Sequence, residues 1–244
     1  MTEGNQAVII YNSRYINHVT KGAVAKPPKP KYTKEEIVQA ALELTREKGI
    51  DAVVAREVGK RLNTSSSPIF TVWSSMEQLK GEVRQLAKEK YQQYMADIFD
   101  YTPAFKEYGM RCVGFAAQEP NLYRLLFLSP REEHSPYIRF QQDFGGIFTA
   151  LVEEIQKTFG LPRQDAEDLL NQMIIFANGI AAFVITDPGS FSREAVSRHL
   201  SQVCQGIVLT QKLRSGSLDF ASAQAMANSY DIQTMPRKKS GENR

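Results

Sequence analysis

From Thr33 onward, apolar residues recur at helical spacing along most of the chain. Ile37, Ala40, Ala41 and Leu44 follow an i, i+3, i+4, i+7 pattern and line one face of a predicted helix from Lys34 to Lys48. Thr33 and Glu36 form a capping box at its start, and Gly49 is a natural stop. A short helix follows around Ala55–Leu62, with Val58 and Leu62 facing inward. Asn63-Thr64 predicts a tight turn, because Asn tolerates the left-handed conformation. Ser65 is placed to cap a third short helix reaching about Trp73, with Pro68 in the first turn and Ile69, Phe70 and Trp73 partly in the core. Ser75 and Gln78 read as a second capping box, opening a long helix to about Phe99 whose apolar face is Leu79, Val83 and Leu86.

The remainder predicts longer helices separated by Pro and Gly. Thr102-Pro103 opens one that ends before Pro120, and Asn121 opens a short one through Leu128. Another runs from Pro136 to Phe159 and stops at Gly160. Pro162 starts the next, which ends at Thr186 before Asp187-Pro188-Gly189. Ser192 caps a last helix to about Leu213, ended by Gly216. Period-two alternation is not sustained, so no sheet is expected, and the fold class is all-α with about nine helices. Residues 217–244 are expected to be mostly disordered. The expected divisions are a flexible basic arm (1–32), a helix-turn-helix domain (33–80), a helical effector-binding and dimerisation domain (81–214) and a flexible tail (215–244).

Composition adds limits. The 244 residues are 42% hydrophobic and 23% charged, which is ordinary globular usage and excludes fibrous and wholly disordered classes. The net charge of +3 is uninformative until it is divided along the chain. Residues 1–100 hold 15 Lys and Arg against 12 Asp and Glu, residues 101–213 hold 10 against 12, and residues 214–244 hold 5 against 3. The basic excess sits at the two ends, and five lysines with no acid lie between Lys21 and Lys34. This asymmetry points to an anionic partner for one end. The segment Lys26-Pro27-Pro28-Lys29-Pro30-Lys31 cannot be helical, so it reads as an arm, either solvated or reaching phosphates. Two cysteines, Cys112 and Cys204, make no disulfide framework and fit a reducing compartment. The apolar start Ala7 to Tyr11 is too short for a signal-peptide core, and the apolar run Ile174 to Ile185 is well below a bilayer span. A soluble, cytoplasmic protein with no membrane partner is expected.

Two short helices joined by a tight turn and packed behind a capped helix form helix-turn-helix geometry, in which the second short helix can enter a major groove about 12 Å wide. Ser65, Ser66 and Ser67 offer small hydroxyl side chains at the start of that helix, and Thr71 lies one turn further along the same side. A generic helical hairpin is the plainer alternative from spacing alone.

The residues Ile37-Val38-Gln39-Ala40-Ala41-Leu42-Glu43-Leu44, Glu47-Lys48-Gly49, Arg56-Glu57-Val58-Gly59-Lys60-Arg61-Leu62, Ser65-Ser66-Ser67-Pro68-Ile69-Phe70 and Trp73-Ser74-Ser75-Met76-Glu77-Gln78-Leu79-Lys80 occur in that order. This segment resembles the DNA-binding domain of the tetracycline-repressor (TetR/AcrR) family of bacterial transcription regulators. The resemblance implies a homodimeric DNA-binding regulator, a repressor released from its double-stranded operator by a small molecule. It implies groove-facing roles for Ser65, Ser66, Ser67 and Thr71, with Thr64 and Phe70 beside them. It also implies phosphate contacts from Thr33, Lys34 and Lys80. The chain departs from the family at Val54, where a capping Thr or Ser is usual, at Asn63 (Gly), at Phe70 (Tyr) and at Met76 (Lys). The last two departures remove a hydroxyl and an ammonium that contact phosphates in the family, and the basic arm and Lys80 are placed to compensate. They also motivate an alternative, a helical small-molecule-binding or interaction scaffold that has lost DNA binding.

By the same resemblance, the later helices hold an effector pocket and a dimer interface. Phe105, Tyr108, Met110, Phe115, Tyr123, Phe127, Phe144 and Phe148, joined by Met173 and Phe176, are the pocket candidates and suit an apolar or aromatic effector. They equally suit a plain helical core. Ile175, Gly179, Ala182 and Phe183 on one helix and Leu200, Val203, Cys204 and Ile207 on the next recur at helical spacing and are the dimer candidates, in a four-helix interface where Gly179 and Ala182 permit close approach.

Enzymatic readings find little support. His18, His134 and His199 are scattered, and the chain has no HExxH, no Gly-rich phosphate loop and no GxSxG. Glu132-Glu133-His134, between Pro130 and Pro136, reads as an exposed loop rather than a metal patch. No metal, cofactor or catalytic residue is expected.

Overall fold

Helix α1 (Lys34–Lys48) begins where its capping chemistry predicts. The Thr33 hydroxyl accepts from the Glu36 amide at 3.2 Å, and the Glu36 carboxylate accepts from the Thr33 amide at 2.7 Å. Two orphan donors are thereby satisfied reciprocally. The helix ends at Gly49, whose φ of 85° suits a residue without Cβ. A 3-10 turn (Ile50–Ala52) leads to α2 (Ala55–Arg61), α3 (Ser67–Val72) and α4 (Met76–Tyr94). In this computed structural model residues 32–129, 136–229 and 235–236 are described. The arm up to residue 31 and residues 130–135, 230–234 and 237–244 lie outside them. Tyr32, the last residue assigned to the arm, is half-buried and its hydroxyl donates to the Leu62 carbonyl.

Ile37, Ala41, Leu42 and Leu44 from α1 meet Val53, Val58, Ile69, Trp73, Leu79 and Val83 in one buried cluster. Each large apolar side chain there contributes about 1.5–3 kcal/mol by leaving water, which is enough for three helices of modest length to hold one arrangement. The same cluster continues through Ala87 and Tyr91 into the C-terminal body. The expected boundary at residues 80 and 81 therefore falls inside α4, an unbroken helix serving both parts.

The body consists of α5 (Ala104–Gln118), α6 (Pro120–Tyr123) continuing into a π-helical turn (Arg124–Leu128), α7 (Pro136–Phe159), α8 (Arg163–Thr186), α9 (Arg193–Arg214) and α10 (Phe220–Ser229). Helix α5 is its axis: it is buried along most of its length and packs on α8 most extensively, then on α9. Its N-terminus is capped from another helix. The Glu154 carboxylate accepts from the amides of Ala104 and Phe105 at 2.9 and 3.0 Å. A carboxylate there also complements the helix dipole.

Several sequence expectations are corrected. Helix α4 ends at Tyr94 rather than Phe99, and a 3-10 turn (Ile98–Asp100) follows. Only half of the second capping box forms: the Ser75 hydroxyl accepts from the Gln78 amide at 3.4 Å, but the Gln78 side chain accepts from Ser74 at 2.9 Å. A tenth helix, α10, occupies part of the segment expected to be a flexible tail. A two-residue antiparallel pairing, Tyr101 with Pro236 and Thr102 with Met235, stands where no strand was expected, without altering the all-α class. Helix α8 is, among the described residues, the one helix long and apolar enough to cross a membrane, longer than the apolar run alone indicated. One stripe of it, Ala166, Leu169, Leu170, Met173, Ala177, Ile180, Ala181 and Val184, is buried within the protein, as befits a core helix.

Candidate nucleic-acid interface

The turn between α2 and α3 is built around Gly59 and Asn63. Asn63 adopts the left-handed conformation at φ 50°, as its residue type predicts. The Thr64 amide then donates back to the Gly59 carbonyl at 2.9 Å. A Cβ on Gly59 would lie 2.9 Å from the Ser65 carbonyl oxygen and 3.0 Å from that of Thr64, so the chain folds back over a position that only glycine fills without displacement. Helix α2 starts at Val54, whose side chain makes no capping bond, as the departure from the family pattern implies.

Helix α3 is anchored by two residues one turn apart, Ile69 and Trp73, both buried. Ser65, Ser67, Phe70, Thr71 and Val72 are exposed, and Thr64 and Ser66 are half-buried. The Ser65 hydroxyl, expected to cap α3, accepts from the Ser67 amide at 3.4 Å; the N-cap position itself falls on Ser66, which makes no side-chain bond. Phe70 is 53% exposed rather than partly in the core, and Val72 is 41% exposed. The Thr71 hydroxyl donates to the Pro68 carbonyl at 2.7 Å.

The phosphate candidates are engaged within the protein. The Lys34 ammonium stands 2.6 Å from the Glu82 carboxylate and 6.0 Å from the centre of the Trp73 ring. Lys80 pairs with Glu77 at 3.1 Å, and the Thr33 hydroxyl serves the cap of α1. Lys34, Val72, Trp73 and Gln78 share an open cleft of about 660 Å³, which places Lys34 beside the end of α3. Two cations were missed. Arg56 and Lys60 are exposed one turn apart on α2 and make no ion pair among the described residues, whereas Arg61 is held by Glu47 at 2.7 Å. The first helix of a helix-turn-helix crosses the DNA backbone, so these two stand on the element that meets phosphate. Arg56 has no carboxylate three or four residues away, a signal visible in the sequence.

The pocket candidates form a packed aromatic core. Phe105, Tyr108, Met110, Phe115, Tyr123, Phe148 and Met173 are buried, Phe127 and Phe176 are half-buried, and the side chain of Phe144 lies outside the described residues. The Tyr91 ring stands 5.1 Å from Phe115 and 4.9 Å from Phe127, Tyr123 stands 4.7 Å from Phe127, and Phe105 stands 5.6 Å from Phe159. These are edge-on and tilted geometries with favourable quadrupole alignment. A polar seam runs through them. The Tyr91 and Tyr108 hydroxyls bond at 3.0 Å, Cys112 Sγ lies 3.4 Å from the Tyr123 hydroxyl, and Tyr123 donates to the Asn178 side-chain oxygen. Burial holds all three tyrosines well above their ordinary range and pushes the Cys112 thiol up to about 11. Lys106, also unforeseen, is buried and donates to the Ser201 hydroxyl at 2.8 Å.

The dimer candidates divide. Ile175 and Phe183 are 71% and 63% exposed, Gly179 lies between them with open space over it, and Ala182, Val203 and Ile207 are half-buried. Leu200 and Cys204 are fully buried and turn toward the interior. The Leu200 methyl carbons lie 3.2 and 3.3 Å from where a Cβ on Gly109 of α5 would stand, so neither residue is available to a partner. Phe191 joins the two helices, 6.4 Å from the Phe183 ring and 6.0 Å from His199.

A capped first helix, a second helix whose Arg56 and Lys60 make no ion pair among the described residues, a left-handed turn and a short third helix with small and apolar residues outward form a helix-turn-helix, the architecture of a class of DNA-binding proteins. Residues 37–83, from the first turn of α1 into α4, match the family described as bacterial regulatory proteins, tetR family. The match covers the DNA-binding domain of that family and supports a DNA-binding transcriptional regulator. No curated protein and no solved structure matched the chain.

Proposed function

We propose that this protein is a homodimeric cytoplasmic repressor, released from its operator by a small apolar or aromatic effector. The observation that carries the reading is the exposed Ile175–Gly179–Phe183 stripe on α8 beside a single helix-turn-helix. One such unit reads one half-site. Two copies joined through α8 and α9 present their α3 helices to half-sites about 34–36 Å apart or a multiple of it. Phe105, Phe115, Phe148 and Met173 are buried in one apolar cluster, so an effector that enters among them would be apolar or aromatic. Such a molecule lowers operator occupancy by binding better to the dimer whose α3 spacing does not fit DNA. Arg56 and Lys60 are the proposed phosphate contacts, with Thr33, Lys34 and Lys80. Ser65, Ser66, Ser67, Phe70 and Thr71, with Thr64, face the groove.

The test is binding to the promoter fragment beside its own gene, followed by fluorescence anisotropy at several salt concentrations, with a panel of hydrophobic and aromatic compounds as competitors. The logarithm of the affinity is expected to fall linearly with log salt, with a slope near −0.9 per phosphate neutralised. Negligible binding at low salt would favour the scaffold reading, in which the fold is kept and DNA binding is lost. Binding that no compound relieves would remove the effector part alone.

A further inference from the structure

We propose that α3 reads thymine methyl groups, so that each operator half-site presents thymines to Phe70, Thr71 and Val72. The inference rests on the DNA-binding reading and narrows it to a class of sequence. From Thr64 to Met76, thirteen consecutive residues contain no charged and no amide side chain. The side chains that fix a base by paired hydrogen bonds are Arg or Lys for guanine, Asn or Gln for adenine, and Asp or Glu for cytosine. None of these is present on α3 or its immediate flanks. Ser65 and Ser67 bring hydroxyls, which pair with either strand and discriminate weakly.

The apolar surface on the same helix is unusually open. Ile69 and Trp73 anchor α3 inward, which leaves Phe70 and Val72 exposed at 53% and 41% on the flanks of the outward face. Between them, Thr71 spends its hydroxyl proton on the Pro68 carbonyl at 2.7 Å, leaving its methyl group and oxygen lone pairs for contact. The C5-methyl of thymine is the apolar group on the major-groove edge of a base pair, so burying Phe70, Val72 and the Thr71 methyl on DNA rewards thymine above the other bases. The cations Arg56 and Lys60 sit on α2, the helix that crosses the backbone, and so position the protein without specifying sequence.

The experiment uses the full chain. Duplexes are enriched from a random library at low salt. The best one is then resynthesised with deoxyuridine in place of each thymine in turn, a change that deletes one major-groove methyl and leaves the minor groove as it was. At two or more positions per half-site the substitution is expected to weaken binding about fourfold, the ratio that follows from losing one buried methyl. Phe70→Ala, an exposed change that leaves Ile69 and Trp73 in place, is expected to weaken binding and make at least one of those uracil substitutions neutral. An enriched duplex indifferent to every uracil but weakened by 7-deazaguanine overturns this inference alone. A library from which nothing is enriched overturns the DNA-binding reading with it.

Discussion

Arg46, in the last turn of α1, forks onto the carboxylate of Glu119 at the α5–α6 junction, with Nε 2.9 Å from one oxygen and Nη2 on the other. The Asn121 side chain adds a bond to the Arg46 carbonyl at 2.9 Å. The hydrogen bond to Glu119 raises the Arg46 guanidinium pKa above its usual value. The fork ties the DNA-binding helices to the body at a point well separated from α4 in sequence. Because both side chains are partly exposed, the pair is worth only about 0.5–1 kcal/mol. Glu119→Gln is expected to lower Tm by about 1–4 °C. Its larger effect falls on DNA affinity, because α1 loses one of its tethers. A double-mutant cycle with Arg46→Met measures the coupling, and a cycle closing to zero shows that the fork does not join the two parts.

Gly59→Ala tests the turn. The added methyl meets two backbone carbonyl oxygens, at 2.9 and 3.0 Å, neither of which can swing aside as a flexible side chain could. A cost of about 1–3 kcal/mol is expected in urea denaturation, together with loss of operator binding because α3 is displaced relative to α2. Gly81→Ala, inside α4 with open space at its Cβ position, is the control and is expected to raise stability by about 0.5–1 kcal/mol, the ordinary gain of Ala over Gly in a helix. Equal effects from the two substitutions would refute the close approach.

Local chemistry made much of this fold legible. The Thr33–Glu36 box, Gly49, Pro136, Gly160 and the Ser192 cap mark helix ends through bonds between near neighbours, and the bounds of α1 and α7 agree residue for residue with expectation. What the sequence hid was tertiary. Helix α10 has a weak apolar stripe of its own and is held by Ala223 in the core and by Gln205 reaching the carbonyls of Met226 and Ala227 at 3.3 and 3.4 Å. Helix α9 carries two apolar stripes, and periodicity does not say which one α5 covers; this is why Leu200 and Cys204 were grouped with Val203 and Ile207. At the DNA interface, the partner of Lys34 is Glu82, 48 residues away, whereas Glu77 stands three residues before Lys80 and was readable.

That Lys34–Glu82 pair gives a prediction of its own. A lysine already 2.6 Å from a carboxylate must exchange that partner to reach a phosphate. Glu82→Gln frees it without changing the length of the side chain. Affinity for duplexes of any sequence is expected to rise, and Lys34→Gln in the same background is expected to flatten the log–log salt slope by about 0.9 for the one phosphate lost. An unchanged slope would remove Lys34 from the contact surface.

The thiols should be silent in the native protein and should make it alkali-labile. Burial pushes Cys112 from the ordinary 9.0 up to about 11 and Cys204 up to about 12. Above pH 9 the unfolded chain loses these protons while the native chain keeps them. The unfolded state therefore binds fewer protons, and stability falls as pH rises toward the native values, by at most about 1.4 kcal/mol per pH unit for each thiol. The buried tyrosines extend the decline further. Melting scans from pH 7 to 11 are expected to show a plateau and then a drop above 9, flattened by Cys112→Ala. A thiol-reactive dye at pH 8 is expected to label neither cysteine until denaturant is added, and rapid labelling of the native chain would contradict this burial.

The exposed stripe on α8 can be separated from the core beneath it. Ile175 and Phe183 lie mostly in solvent, so a charge at either position costs the folded protomer little. At the centre of an interface the same charge would be desolvated without a partner, which weakens association by at least about 2 kcal/mol, some thirtyfold. Phe183→Glu is therefore expected to give a monomer with unchanged helical circular dichroism, and to lose tight operator binding because one α3 alone cannot span two half-sites. Phe220→Glu, on the equally exposed Phe220 of α10, is expected to stay dimeric. Leu200→Glu is expected to unfold the chain, because that side chain is enclosed by the protein's own helices. Sedimentation velocity with circular dichroism distinguishes the three, and a Phe183→Glu protein that remains a dimer would place the partner on another face.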